Sequence, residues 1–109
     1  MAEVLKISEM MLKIKSELRE VLGKEKVIEA AYICRLPYLR CILRETLRLH
    51  PPLPFLVPCQ IAEETEVNGY IIPKNYQVLV NAWAIGRDPV SWENPQSFQS
   101  ERFLDSEVL

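Results

Sequence analysis

Apolar residues recur at helical spacing in the first half of the chain and give way to turn signals in the second. Met11, Ile14, Leu18 and Val21 step by three, four and three, which lines one apolar stripe along a helix over residues 1–22 with a break near Ser8. On the polar side, Glu9 with Lys13 and Glu20 with Lys24 stand four apart in the favoured order. Ser8 is suited to cap this helix and Gly23 to end it. Residues 24–35 read as a polar connector with a short helical tail. A second helix is then bounded on both sides. Pro37 suits a first helical position, where a missing N–H costs nothing, and Pro51-Pro52 stops the helix because neither can donate to the preceding turn. Tyr38, Ile42, Glu45 and Leu49 share one stripe, so a carboxylate lies inside an otherwise apolar face.

After Pro52 the texture changes. The run from Leu53 to Pro58 is apolar but interrupted by proline, which excludes a central strand and allows an edge strand or extended segment. Asn68-Gly69 between β-prone residues is a strong hairpin signal, and Pro73-Lys74-Asn75 turns the chain again. Residues 77–81 read as a buried strand, and residues 82–87 as a short helix stopped by Asp88-Pro89. The segment that follows has no period, yet Trp92, Phe98 and Phe103 recur in it, so it is expected to be pinned by these rings. The pattern predicts an α+β architecture: two amphipathic helices, a small hairpin-containing sheet and an ordered irregular tail.

Composition narrows the function classes. The chain of 109 residues has room for one small domain, and 49% hydrophobic with 26% charged residues is a globular balance. A formal charge of −2 provides no basic surplus for nucleic acid or an anionic membrane, and no apolar run is long enough to span a bilayer. Cys34, Cys41 and Cys59 are odd in number and lack Cys-x-x-Cys spacing, which argues against a disulfide framework or a zinc site. His50, the sole histidine, has no ligand-like neighbour and reads as a helix-end residue.

Glu45 and Arg48 stand three apart and can pair on the helix surface; on spacing alone this is an ordinary ion pair worth a few tenths of a kcal/mol. Their sequel, Leu49-His50-Pro51-Pro52, changes the reading. Glu-x-x-Arg followed by Leu-His-Pro-Pro resembles the K helix of the cytochromes P450, the haem-thiolate monooxygenases. The resemblance continues in the family's order. Residues 1–22 resemble the tail of the I helix and the J helix, 37–50 the K helix, 55–81 the β region, and 82–103 the K′ helix and meander. The run from Leu36 to Pro58 is similar to the plant microsomal subgroup that includes geraniol hydroxylases and related terpenoid or phenolic oxidases. The chain is identified as a member of this family, as a part of its mainly α fold.

The resemblance implies that Glu45, Arg48 and Arg102 form a buried structural cluster, because a buried carboxylate is tolerated when guanidinium forks saturate its oxygens. It implies that Leu53, Phe55, Leu56 and Val57 line the pocket of a lipophilic substrate, and that haem is the cofactor of the parent enzyme. Cys59 stands where the family usually places an arginine that pairs with a haem propionate, Ser100 replaces the first residue of Pro-Glu-Arg-Phe, and Ser8 stands where a proline often opens the J helix. The family's iron is held by a cysteine in a Phe-x-x-Gly-x-Arg-x-Cys-x-Gly loop, and none of the three cysteines here has that setting. No catalytic residue and no metal ligand are therefore expected in this chain, which is expected to be inactive alone. Its parent is expected at the cytosolic face of the endoplasmic reticulum membrane, with a NADPH-dependent reductase as electron donor. The alternative is a non-catalytic interaction module or truncated remnant that keeps the scaffold.

Overall fold

The computed structural model describes residues 2–23 and 30–104, and divides the chain into two compact units, Met1–Leu49 with Gln96–Leu109, and His50–Pro95. In the first, helix α1 spans Ala2–Lys6 and α2 spans Ser8–Leu22; a 3-10 turn over Ala30–Arg35 leads into α3, Pro37–Leu49. In the second, β1 (Cys59–Gln60), β2 (Thr65–Val67), β3 (Tyr70–Ile72) and β4 (Gln77–Val78) precede a short helix α4, Ala82–Ile85.

The core of the first unit is a cluster of Val4, Met10, Ile14 and Ile42, against which Met11, Leu18, Tyr38, Leu39 and Phe98 pack. The buried stripe of α2 thus runs through Met10, Ile14 and Leu22, one position round the helix from the expected Met11-to-Val21 line. The break falls at Ile7, which holds the N-cap position with extended dihedrals and no side-chain cap. Ser8 is already helical and does not cap, because Met10 N–H donates to the Ile7 carbonyl at 3.1 Å and sets the start one residue earlier. Gly23 ends the helix at φ 56°, its N–H donating to the Arg19 carbonyl at 3.0 Å. The Glu9–Lys13 pair forms at 3.6 Å, while Lys24, the expected partner of Glu20, lies outside the described residues.

Helix α3 stops at Leu49, ahead of Pro51, and buries Cys41, Ile42, Glu45, Arg48 and Leu49. Its Thr46 hydroxyl donates back to the Ile42 carbonyl at 2.8 Å, which satisfies a half-buried polar group within the helix.

The second unit is built from turns. Asn68 (φ 51°) and Gly69 (φ 81°) close the β2–β3 hairpin with Val67 opposite Tyr70, as a two-residue loop of this handedness requires. β1 and β4 form a separate antiparallel pair, Cys59 opposite Val78 and Gln60 opposite Gln77. The expected buried strand over residues 77–81 is therefore only two residues long and open to solvent, with Leu79 and Val80 exposed. Residues 53–56 form a turn instead of an extended edge, with Leu56 N–H donating to the Leu53 carbonyl and Leu56 itself at φ 51°. Asn81 caps α4 by accepting from Ala84 N–H at 3.0 Å, and Asp88 holds the next turn through Val90 N–H and the Ser91 hydroxyl. Trp92 anchors this stretch by donating from Nε1 to the Ile85 carbonyl at 2.9 Å. Among the described residues, every buried apolar side chain belongs to the first unit.

Candidate functional site

Helix α3 begins after an apolar residue, Leu36, that has no side-chain acceptor to offer its own helix. Each of the opening N–H groups is nonetheless accounted for. Leu36 N–H donates to the Ile33 carbonyl at 3.2 Å, Pro37 has no N–H, and Tyr38 and Leu39 donate to the two carboxylate oxygens of Glu17 at 2.7 and 3.0 Å. Glu17 lies on α2, so one helix caps the other. A charged cap at a partly buried helix start contributes about 1–2 kcal/mol.

Two turns further on, α3 carries Glu45, which is wholly buried. Arg48, three residues later on the same helix, grips it with a fork: Nε to Oε2 at 2.8 Å and Nη2 to Oε1 at 2.7 Å. Oε1 also accepts from Gln99 N–H at 2.9 Å and from Arg102 Nε at 3.2 Å. Both guanidiniums reach the Ser97 carbonyl as well, at 3.1 and 3.3 Å. Glu45, Arg48 and Arg102 are thus brought together on the backbone of residues 97–99, a link absent from the sequence-level reading because Ser97 and Gln99 contribute main-chain atoms.

Burial is the largest single influence on the Glu45 carboxyl and pushes its pKa up. Donation from Arg48, Gln99 N–H and Arg102 together outweighs it and leaves the group below the usual carboxylate range. A carboxylate that accepts four hydrogen bonds, three of them from guanidiniums, is held in its ionised form. Its chemistry is that of a clasp. Nearby, the turn at Glu101 is tied back to α2 by Lys13 at 2.6 Å, and this bond is the main reason the Lys13 pKa is raised. Met10, Lys13, Tyr38, Phe98 and Arg102 contribute to the walls of an open cavity of about 550 Å³ in the same unit. The Tyr38 hydroxyl is buried without a hydrogen-bond partner among the described residues.

The other residues singled out in the sequence lie elsewhere. Leu53, Phe55, Leu56 and Val57 are about half exposed or more, at 53, 52, 48 and 68%, on the turn that opens the second unit. Cys59 is exposed in β1, its thiol donating to the Val57 carbonyl at 3.4 Å. Cys34 is also exposed, and Cys41 lies on the buried face of α3, where burial pushes its thiol pKa up and away from the thiolate form. All three are free thiols, and among the described residues no three His, Cys, Asp or Glu side chains are placed to hold a metal ion. This donor set does not fit a thiolate-ligated haem iron, and a thiol at Cys59 cannot supply a cationic bond to a propionate.

Comparison with known proteins agrees with the geometry. Residues 1–108 match the family described as Cytochrome P450. The chain is 55% identical over 108 residues to a geraniol 8-hydroxylase of Swertia mussotii, covering 99% of this chain and 22% of the relative. It is also 55% identical over 108 residues to a geranylhydroquinone 3″-hydroxylase of Arnebia euchroma, with the same coverage of 99% and 22%. Among solved structures, a zebra fish cytochrome P450 determined with progesterone superposes with a TM-score of 0.86 at 35% identity, covering 96% of this chain and 25% of that one. The chain therefore spans about a fifth of the length of the curated relatives it matches. Family match, relatives and fold coincide: this chain belongs to the cytochrome P450 family of haem-dependent monooxygenases, of whose fold it forms an α+β portion.

Proposed function

We propose that the chain is the scaffold portion of a haem-dependent monooxygenase that hydroxylates a small lipophilic substrate, terpenoid or phenolic, using O2 and electrons from a NADPH-dependent reductase. The observation that carries this reading is 55% identity, over essentially the whole chain, to two relatives whose names describe hydroxylases of geranyl-bearing molecules. When bound in the parent, haem supplies the oxygen chemistry. This chain supplies the frame: α2 and α3 stand as the J and K helices, the Glu45–Arg48–Arg102 clasp fastens the meander segment, and Leu53, Phe55, Leu56 and Val57 offer an apolar wall to the substrate. With no fitting iron ligand among its cysteines, the chain by itself is inactive. The parent works at the cytosolic face of the endoplasmic reticulum membrane; among the described residues here no helix is long and apolar enough to cross one.

A chimera tests this. Residues 1–108 replace the matching stretch of the Swertia mussotii geraniol 8-hydroxylase, and the product is reduced under carbon monoxide and assayed with geraniol. The expected result is a thiolate-type haem band with geraniol hydroxylation. Loss of the band overturns the scaffold role, and a normal band without turnover of geraniol or of a geranyl phenol overturns the substrate class. The isolated chain titrated with haemin is expected to give no thiolate-type band.

A further inference from the structure

Three carboxylates in the first unit join its three segments in a circle. Glu17 of α2 accepts the Tyr38 and Leu39 amides of α3, at 2.7 and 3.0 Å. Glu45 of α3 accepts the Gln99 amide at 2.9 Å. Glu101, in the turn that follows, returns to Lys13 of α2 at 2.6 Å. The same three segments meet in the core, where Met10 is buried and Tyr38 and Phe98 pack against its cluster. The links of the ring differ in kind. The Lys13–Glu101 pair is solvent-exposed and therefore weak, whereas Glu17 is partly buried and bonds main-chain amides whose only other recourse is water.

We propose that Glu17 is the positioning residue of this ring: by fixing where α3 starts, it fixes where Glu45 meets the 97–102 turn. A helix is a stiff rod rising about 1.5 Å per residue, so displacement at its first turn is carried to Glu45 two turns on. The carboxylate at position 45 has to meet two guanidinium forks and an amide within hydrogen-bond tolerance, and a shift of the rod breaks that registry. No neighbouring side chain is able to take over, because Leu36 at the cap position is apolar and buried and neither Pro37 nor Leu39 carries a side-chain acceptor. The proposal concerns the frame alone and stands or falls independently of the monooxygenase reading.

Amide hydrogen exchange of the full 109-residue chain, read by NMR, tests it. In Glu17→Ala the Tyr38 and Leu39 amides are expected to exchange about tenfold faster or more, and the Gln99 amide to accelerate with them, ahead of the interior of α3. Glu17→Gln keeps one carbonyl acceptor and is expected to retain protection at one of the two amides. Leu18→Ala, which loosens the same helix through core packing and leaves the cap intact, is expected to accelerate the unit evenly. Should Glu17→Ala fail to fold, Glu17→Gln against Leu18→Ala decides alone. Unchanged Tyr38 and Leu39 amides, an unmoved Gln99 amide, or an even acceleration matching Leu18→Ala would each overturn the proposal. So would a wild-type chain in which these amides are unprotected.

Discussion

Glu45 Oε1 accepts a hydrogen bond from Arg102 Nε at 3.2 Å, across 57 positions of sequence. The bond joins α3 to a segment that the chain reaches only after completing the second unit. Because Glu45 is held more tightly by Arg48 than by Arg102, removal of the three members should not cost the same. Glu45→Ala strands the buried Arg48 guanidinium and the partly buried one of Arg102, and is expected to destabilise the first unit by about 3–5 kcal/mol. Arg102→Ala leaves the Arg48 fork in place and is expected to cost less, about 1–3 kcal/mol. Urea midpoints of the two variants check the order, and an equal or reversed order contradicts the clasp.

The same carboxylate sets the acid sensitivity of the unit. Its folded pKa is lowered, so in acid the unfolded chain binds the proton that the folded chain resists. The stabilisation is complete above the ordinary carboxylate range and is lost as pH falls through the lower folded value. Urea midpoints taken from neutral pH downward should drop in that window for the wild-type chain, with a shallower drop for Glu45→Gln.

Thiol reactivity should follow burial. Cys34 and Cys59 are exposed, while burial raises the Cys41 pKa and closes off its sulfur. A maleimide reagent at mildly alkaline pH is expected to label Cys34 and Cys59 rapidly and Cys41 only after urea is added, as mass spectrometry of the peptides would show. Early labelling of Cys41 would mean that the face of α3 carrying it is not packed against the rest of the unit.

The His50–Pro95 unit contributes no buried apolar side chain among the described residues, so its opening should require less free energy than that of the first unit. Gly69, at φ 81° with open space where a Cβ would stand, provides a local handle on it. Gly69→Ala adds only backbone strain, about 1 kcal/mol. The cross-strand proximity of Val67 and Tyr70 is expected to weaken in NMR while the Gln99 amide stays protected.

What was legible in the sequence was local. Pro37 and Pro51 mark the ends of α3 by covalent geometry, and Asn68-Gly69 marks a hairpin because these residue types tolerate positive φ. Glu45 and Arg48 could be paired from helical spacing, whereas Arg102 joined them only through resemblance to a family. Ser97 and Gln99 left no trace, since a main-chain carbonyl and amide are present at almost every position. Nothing in the spacing of charges along α2 sets Glu17 apart. A signal for it existed all the same: α3 opens after Leu36 with no acceptor of its own, so its amides had to be met from another segment. The expected strand over residues 77–81 failed for a related reason. Its apolar run specifies a side-chain pattern, and the number of ladder partners depends on what pairs with it, which among the described residues is Cys59–Gln60.

The chain leaves the first unit at Leu49 and returns at Gln96, and Arg48 Nη2 bonded to the Ser97 carbonyl at 3.1 Å fastens departure to return. Once such a neck is tied, the length of what passes through it matters little, since doubling a flexible loop adds only about 0.6 kcal/mol to its closure. The pair therefore closes the excursion at its base: segments of other lengths and sequences between positions 49 and 96 leave the contacts within the first unit unchanged.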